Sequence, residues 1–91
     1  MMTPYLFMDK IGIMKKVLRK LLNRNMWGGK HTEMTNLRKC LPTHLRGEKV
    51  ADQALKELVQ WEFLLLKIST HEVHVSLNPG KQRDIYQFLS R

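Results

Sequence analysis

Four histidines, His31, His44, His71 and His74, and a single cysteine, Cys40, are the side chains here whose types suit metal binding or nucleophilic attack. Their spacing predicts neither. Cys40 lacks the second cysteine of a C-x₂-C clamp, and no two histidines stand four apart on a helix, so no metal and no cofactor are expected. His71 and His74 fall at a strand turn, where exposed polar residues are ordinary. Cys40 lies between Leu37 and Leu41 and reads as a buried thiol without a base to activate it. Gly28-Gly29-Lys30-His31-Thr32 is similar to the end of a phosphate-binding loop. That loop, however, needs a glycine where Arg24 stands, and His31 interrupts its Lys-Ser/Thr step. No Ser/His/Asp pattern or paired carboxylates have a distinctive spacing, so no enzymatic activity is expected. Lys30 and His31 could still touch a phosphate.

A stronger signal lies in the charge. The chain carries 16 Lys and Arg against 8 Asp and Glu. Residues 1–47 hold ten of the bases and only two acids, Asp9 and Glu33, so the whole excess of +8 sits in the N-terminal half. From Lys10 to Thr32 there are seven bases and no acid. A solvated helix face ordinarily mixes both signs, because opposite charges at i,i+4 support it. A face of one sign repels itself and suits an approaching polyanion.

The elements that must position these charges can be read from the apolar spacing. Asp9 is placed to cap a helix from Lys10 to about Arg24. Its apolar stripe is Ile11, Met14, Val17, Leu18, Leu21 and Leu22, with Lys15, Lys16, Arg19, Lys20 and Arg24 on the opposite side. Asn25 and Gly28-Gly29 end it. Residues 26–34 read as a loop or a short extended piece. A brief helix follows around Thr35–Cys40, stopped before Pro42. Glu48–Gln60 reads as a helix burying Val50, Ala51, Ala54, Leu55, Leu58 and Val59, and closing at Trp61-Glu62-Phe63 without a glycine. The period then changes to two. Leu64, Leu66 and Ile68, and Val73, Val75 and Leu77, form one face of a β-hairpin whose polar tip is Ser69–Glu72. Asn78-Pro79 opens a last helix that buries Ile85, Phe88 and Leu89.

This order, mainly α with a small hairpin, resembles the winged helix-turn-helix family from about Asp9 to Leu89. The segments WGGKHT, LPTHLRGE and HVSLNP are similar to those of small archaeal winged-helix proteins of mostly unassigned function. The resemblance implies one domain: an N-terminal segment 1–8, a core 9–78 and a C-terminal helix 79–91. It further implies that residues 48–60 are the recognition helix and 69–72 the wing tip. That helix departs from DNA-reading relatives, for Glu48, Asp52 and Glu57 outnumber Lys49 and Lys56.

The functional expectation is a small DNA-binding protein, a transcriptional regulator, whose contacts are Lys30, His31, Arg38, Lys39, Arg46, Lys49, Lys67, His71 and His74. A protein-interaction module and an RNA-binding protein are the alternatives. Tyr5, Leu6, Phe7, Met8, Ile85, Phe88 and Leu89 predict a homodimer through the terminal segments. The lone cysteine, the absence of an apolar run of about 20 residues and the lack of a basic leader predict a cytoplasmic, non-membrane protein.

Overall fold

The computed structural model describes residues 9–91. Asp9 begins the first helix as its position predicts, its carboxylate accepting from the Gly12 amide at 2.8 Å. Helix α1 runs Lys10–Asn23. It ends in a Schellman turn: Asn25 takes a left-handed φ of 55°, its amide donates to Leu22 O, and the Met26 amide donates to Leu21 O. Strand β1 (Thr32–Glu33), helix α2 (Met34–Arg38), a 3₁₀ turn (Thr43–Leu45) and helix α3 (Lys49–Gln60) follow. Strands β2 (Leu64–Ile68) and β3 (Val73–Leu77) form the hairpin, and a 3₁₀ turn at Pro79–Lys81 leads into α4 (Gln82–Leu89). The three-helix, hairpin and C-terminal helix order of a winged-helix-like topology is thus present.

The short extended piece is a real strand. β1 pairs antiparallel with β3, matching Thr32 to Val75 and Glu33 to His74, so the sheet order is β1-β3-β2. The loop before β1 is also stitched to the far end of β3. Leu77 N donates to Met26 O and Gly28 N to Leu77 O. Gly28 has a φ of +56°, and a Cβ there would meet Pro79 Cγ at 3.3 Å, so the turn needs glycine on two counts.

The core joins α1 to α3, α2, α4 and β3. Ile13, Met14, Val17, Leu18 and Leu21 of α1 are fully buried among Leu37, Leu41, Leu55, Leu58, Val75 and Ile85. Three expectations about burial need correction. Ile11 is 41% exposed while Ile13, outside the expected stripe, is buried, because α1 is rolled toward its Lys10–Ile13 flank. On that flank Lys10 pairs with Glu57 of α3. The hairpin buries only its base: Leu64, Val75 and Leu77 are covered, but Leu66 and Val73 are partly exposed and Ile68 is 74% exposed. Ser76, on the face read as outward, is buried. Ile85 and Phe88 pack inside this chain's own core. The C-terminal apolar surface offered for dimerisation is therefore reduced to exposed Tyr86 and half-buried Leu89, while residues 5–8 lie outside the described residues.

α3 ends in a second Schellman turn without glycine. Glu62 holds φ at 63°, with Glu62 N on Val59 O and Phe63 N on Leu58 O. A left-handed conformation costs an L residue roughly 1–2 kcal/mol, and a carboxylate at a helix C-terminus is unfavourable to the dipole. Glu62→Gly is expected to stabilise the fold by about 1 kcal/mol, read as a melting point raised by roughly 4–8 °C. A lowered melting point would mean that the Glu62 side chain holds a contact worth more than the strain.

Candidate nucleic-acid interface

Beyond Lys10, which pairs with Glu57, the cations of α1 and of its C-cap Arg24 have two sets of neighbours, and Arg19 has both. Lys15 and Arg19 lean on the C-terminal end of α4, where Lys15 Nζ donates to Arg91 O at 2.7 Å and Arg19 to Leu89 O at 3.4 Å. Positive groups there meet the negative end of the helix dipole. Lys16, Lys20 and Arg24 point along the side that faces α2. Two adjacent clefts run there and share Lys20. One, of about 270 Å³, is lined by Lys20, Arg24, Thr32, Asn36 and Lys39 among others. The other, of about 590 Å³, is lined by Gly12, Lys16, Arg19, Lys20, Asn23 and Cys40. No acid is among the described lining residues of either. Cationic side chains, a hydroxyl and two amides together make a donor-rich surface suited to phosphate oxygens.

The sequence-predicted contacts are scattered over several places. Lys39 belongs to this basic face. Arg38 and Arg46 are engaged within the chain: Arg38 donates to Asp52 Oδ1 at 2.8 Å and to Arg46 O at 3.1 Å, and Arg46 donates to Leu41 O and Lys39 O. They brace the segment between α2 and α3. Lys49 is exposed at the first position of α3. Lys30, Lys67 and His71 are exposed on the β1 approach and the wing. His31 and His74 are half-buried against each other, ring centroids 4.7 Å apart, with their Nδ1 atoms at 2.9 Å. The fold thus brings Lys39 to α1, and His31 to His74, but does not gather all nine residues at one surface.

Lys16, Lys20 and Arg24 were visible in the sequence as part of a basic helix back, and the acid-free run from Lys10 to Thr32 was their signal. What spacing could not show was which of the α1 cations α4 would occupy. The exposed residues of α3 supply no comparable field, since Lys49 and Lys56 are offset by Glu48 and Asp52.

Cys40 is half-buried beside this face. Burial raises its thiol pKa above the ordinary value, outweighing the opposing fields of Lys20 and Lys16. Its thiolate is disfavoured at neutral pH. Alkylation by iodoacetamide is expected to keep accelerating above the pH at which a free cysteine has levelled off. A plateau at lower pH would show that the lysines, not burial, govern the thiol.

Among the described residues no helix is long and apolar enough to cross a membrane. No protein-family model, no curated protein and no solved structure matches the chain, so the winged-helix-like class rests on the order and pairing of its own elements.

Proposed function

We propose that this chain is a nucleic-acid-binding domain of winged-helix type, a small DNA-binding regulator, that grips the phosphate backbone through the α1–α2 face. The observation that carries the reading is the pair of adjoining clefts lined by Lys16, Arg19, Lys20, Arg24 and Lys39 without a described acid. Lys and Arg there neutralise phosphates and release counterions, which makes binding strong at low salt and weakly dependent on sequence. Lys49 at the start of α3, and Lys67 and His71 on the wing, supply outlying contacts. The charge-balanced surface of α3 argues against base reading as the main source of affinity. Duplex DNA is favoured because the winged-helix-like order suits a duplex.

Titration of the full chain with labelled duplex DNA, single-stranded RNA and heparin at two salt concentrations tests this. Duplex binding that weakens steeply with salt supports it. Equal affinity for RNA would move the reading to the RNA alternative. Binding to none would leave the protein-interaction module, for which the exposed apolar residues of the outer wing, Leu66, Ile68 and Val73, are the favouring observation.

A further inference from the structure

The β1–β3 register places Glu33 directly opposite His74, and Glu72, immediately before β3, brings its carboxylate to the His74 ring. The ligand atoms of Glu33, Glu72 and His74 lie within 4.8 Å of one another. His74 Nε2 stands 2.7 Å from Glu72 Oε2. We infer that Glu33, Glu72 and His74 form a divalent-metal site near the tip end of the wing, where β1 pairs with β3, taking Zn²⁺ or a similar borderline first-row ion. The inference does not rest on the nucleic-acid reading.

The donor set is one imidazole nitrogen and two carboxylate oxygens, with a fourth position left for water. Three protein ligands and one open position match the count of an open zinc site, and the imidazole disfavours Mg²⁺ and Ca²⁺, which want oxygen alone. Ligands on a tetrahedral zinc with bonds near 2.0–2.1 Å stand roughly 3.3 Å apart. Glu72, about half exposed, need only draw back slightly from His74 to admit the ion. Two of the ligands already have orienting partners. His74 Nδ1, on the other side of the ring, meets His31 Nδ1 at 2.9 Å, so with Nε2 on the metal the Nδ1–H donates to His31. Thr35 Oγ1 donates to Glu33 Oε2 at 3.2 Å. Such outer contacts fix ligand orientation. An open groove lined by Glu33, Thr35, His71 and Glu72 gives the ion its approach. Two carboxylates this close repel each other, and a divalent ion removes that repulsion while tying the two-residue strand β1 to the wing.

The test is isothermal titration of the full chain, stripped with a chelator, against ZnCl₂, together with thermal melts. One ion per chain is expected, and at a hundredfold excess over Kd the melting point should rise by roughly 10–20 °C. The Glu33→Gln/Glu72→Gln variant should lose this site, and His31→Phe should weaken it about 10–100-fold. A second measurement uses the native chain alone: Co²⁺ should perturb the ring NMR signals of His74 and His31 and leave His44 unmoved. Absence of a one-to-one site, undiminished affinity in the Gln variant, or equal perturbation of His44 would overturn the inference.

Discussion

Replacing Lys16, Lys20, Arg24 and Lys39 together by Gln is expected to reduce duplex-DNA affinity on the order of a thousandfold at 0.1 M salt. Each phosphate neutralised on B-DNA contributes about 0.9 to the slope of log K against log salt. Four lost contacts should flatten that slope by roughly 3.6. The variant should still fold, because Lys16, Arg24 and Lys39 are exposed and Lys20 lines an open cleft. Exposed substitutions usually stay within about 0.5 kcal/mol. A control set with the same charge change elsewhere, Lys56, Lys81, Arg83 and Arg91 to Gln, separates a local face from net charge. It should retain most of the slope. Equal losses in both sets would mean that only overall charge matters.

The second large effect concerns the core. Leu18 of α1 is fully buried where that helix meets the rest of the fold. Leu18→Ala should cost about 2–5 kcal/mol, a large part of the roughly 5–15 kcal/mol that holds such a domain. The melting point should fall by roughly 10–30 °C. Ile68→Ala supplies the contrast. Sequence alternation set Ile68 on the inward face of the hairpin, yet it is 74% exposed, so its truncation should cost no more than about 0.5 kcal/mol. A comparable loss at Ile68 would show that another surface covers the outer wing.

The helices were legible in the sequence because their signals are local. Asp9, Asn25 and Asn78 each act where their residue type predicts, as an N-cap, a left-handed C-terminal residue and the cap of a 3₁₀ turn. The α3 stripe follows from spacing alone, with Ala51, Ala54, Leu55 and Leu58 buried. The hairpin was legible too, but not the depth of its burial, which depends on how far the helices reach along the strands. Strand β1 gave little sign of itself, since two residues show no period and its partner, β3, lies some forty positions later. For the same reason spacing predicted no metal ligands. Glu33 and His74 become neighbours only through that pairing, and histidines counted along the chain do not reveal a carboxylate from another strand. The commitments of Arg38 and Arg46 to Asp52 and to backbone carbonyls are likewise tertiary, and charge counting treats a bracing arginine and an available one alike.

The claim that nucleic acid lies on α1 and α2 rather than on α3 is tested most directly by following backbone amide NMR signals of the full chain during titration with a short duplex. The largest shifts are expected at residues 16–24 and 36–39, with the amides of residues 53–60 nearly still. Shifts concentrated in α3 and the wing would contradict the claim and return the contact to the recognition helix.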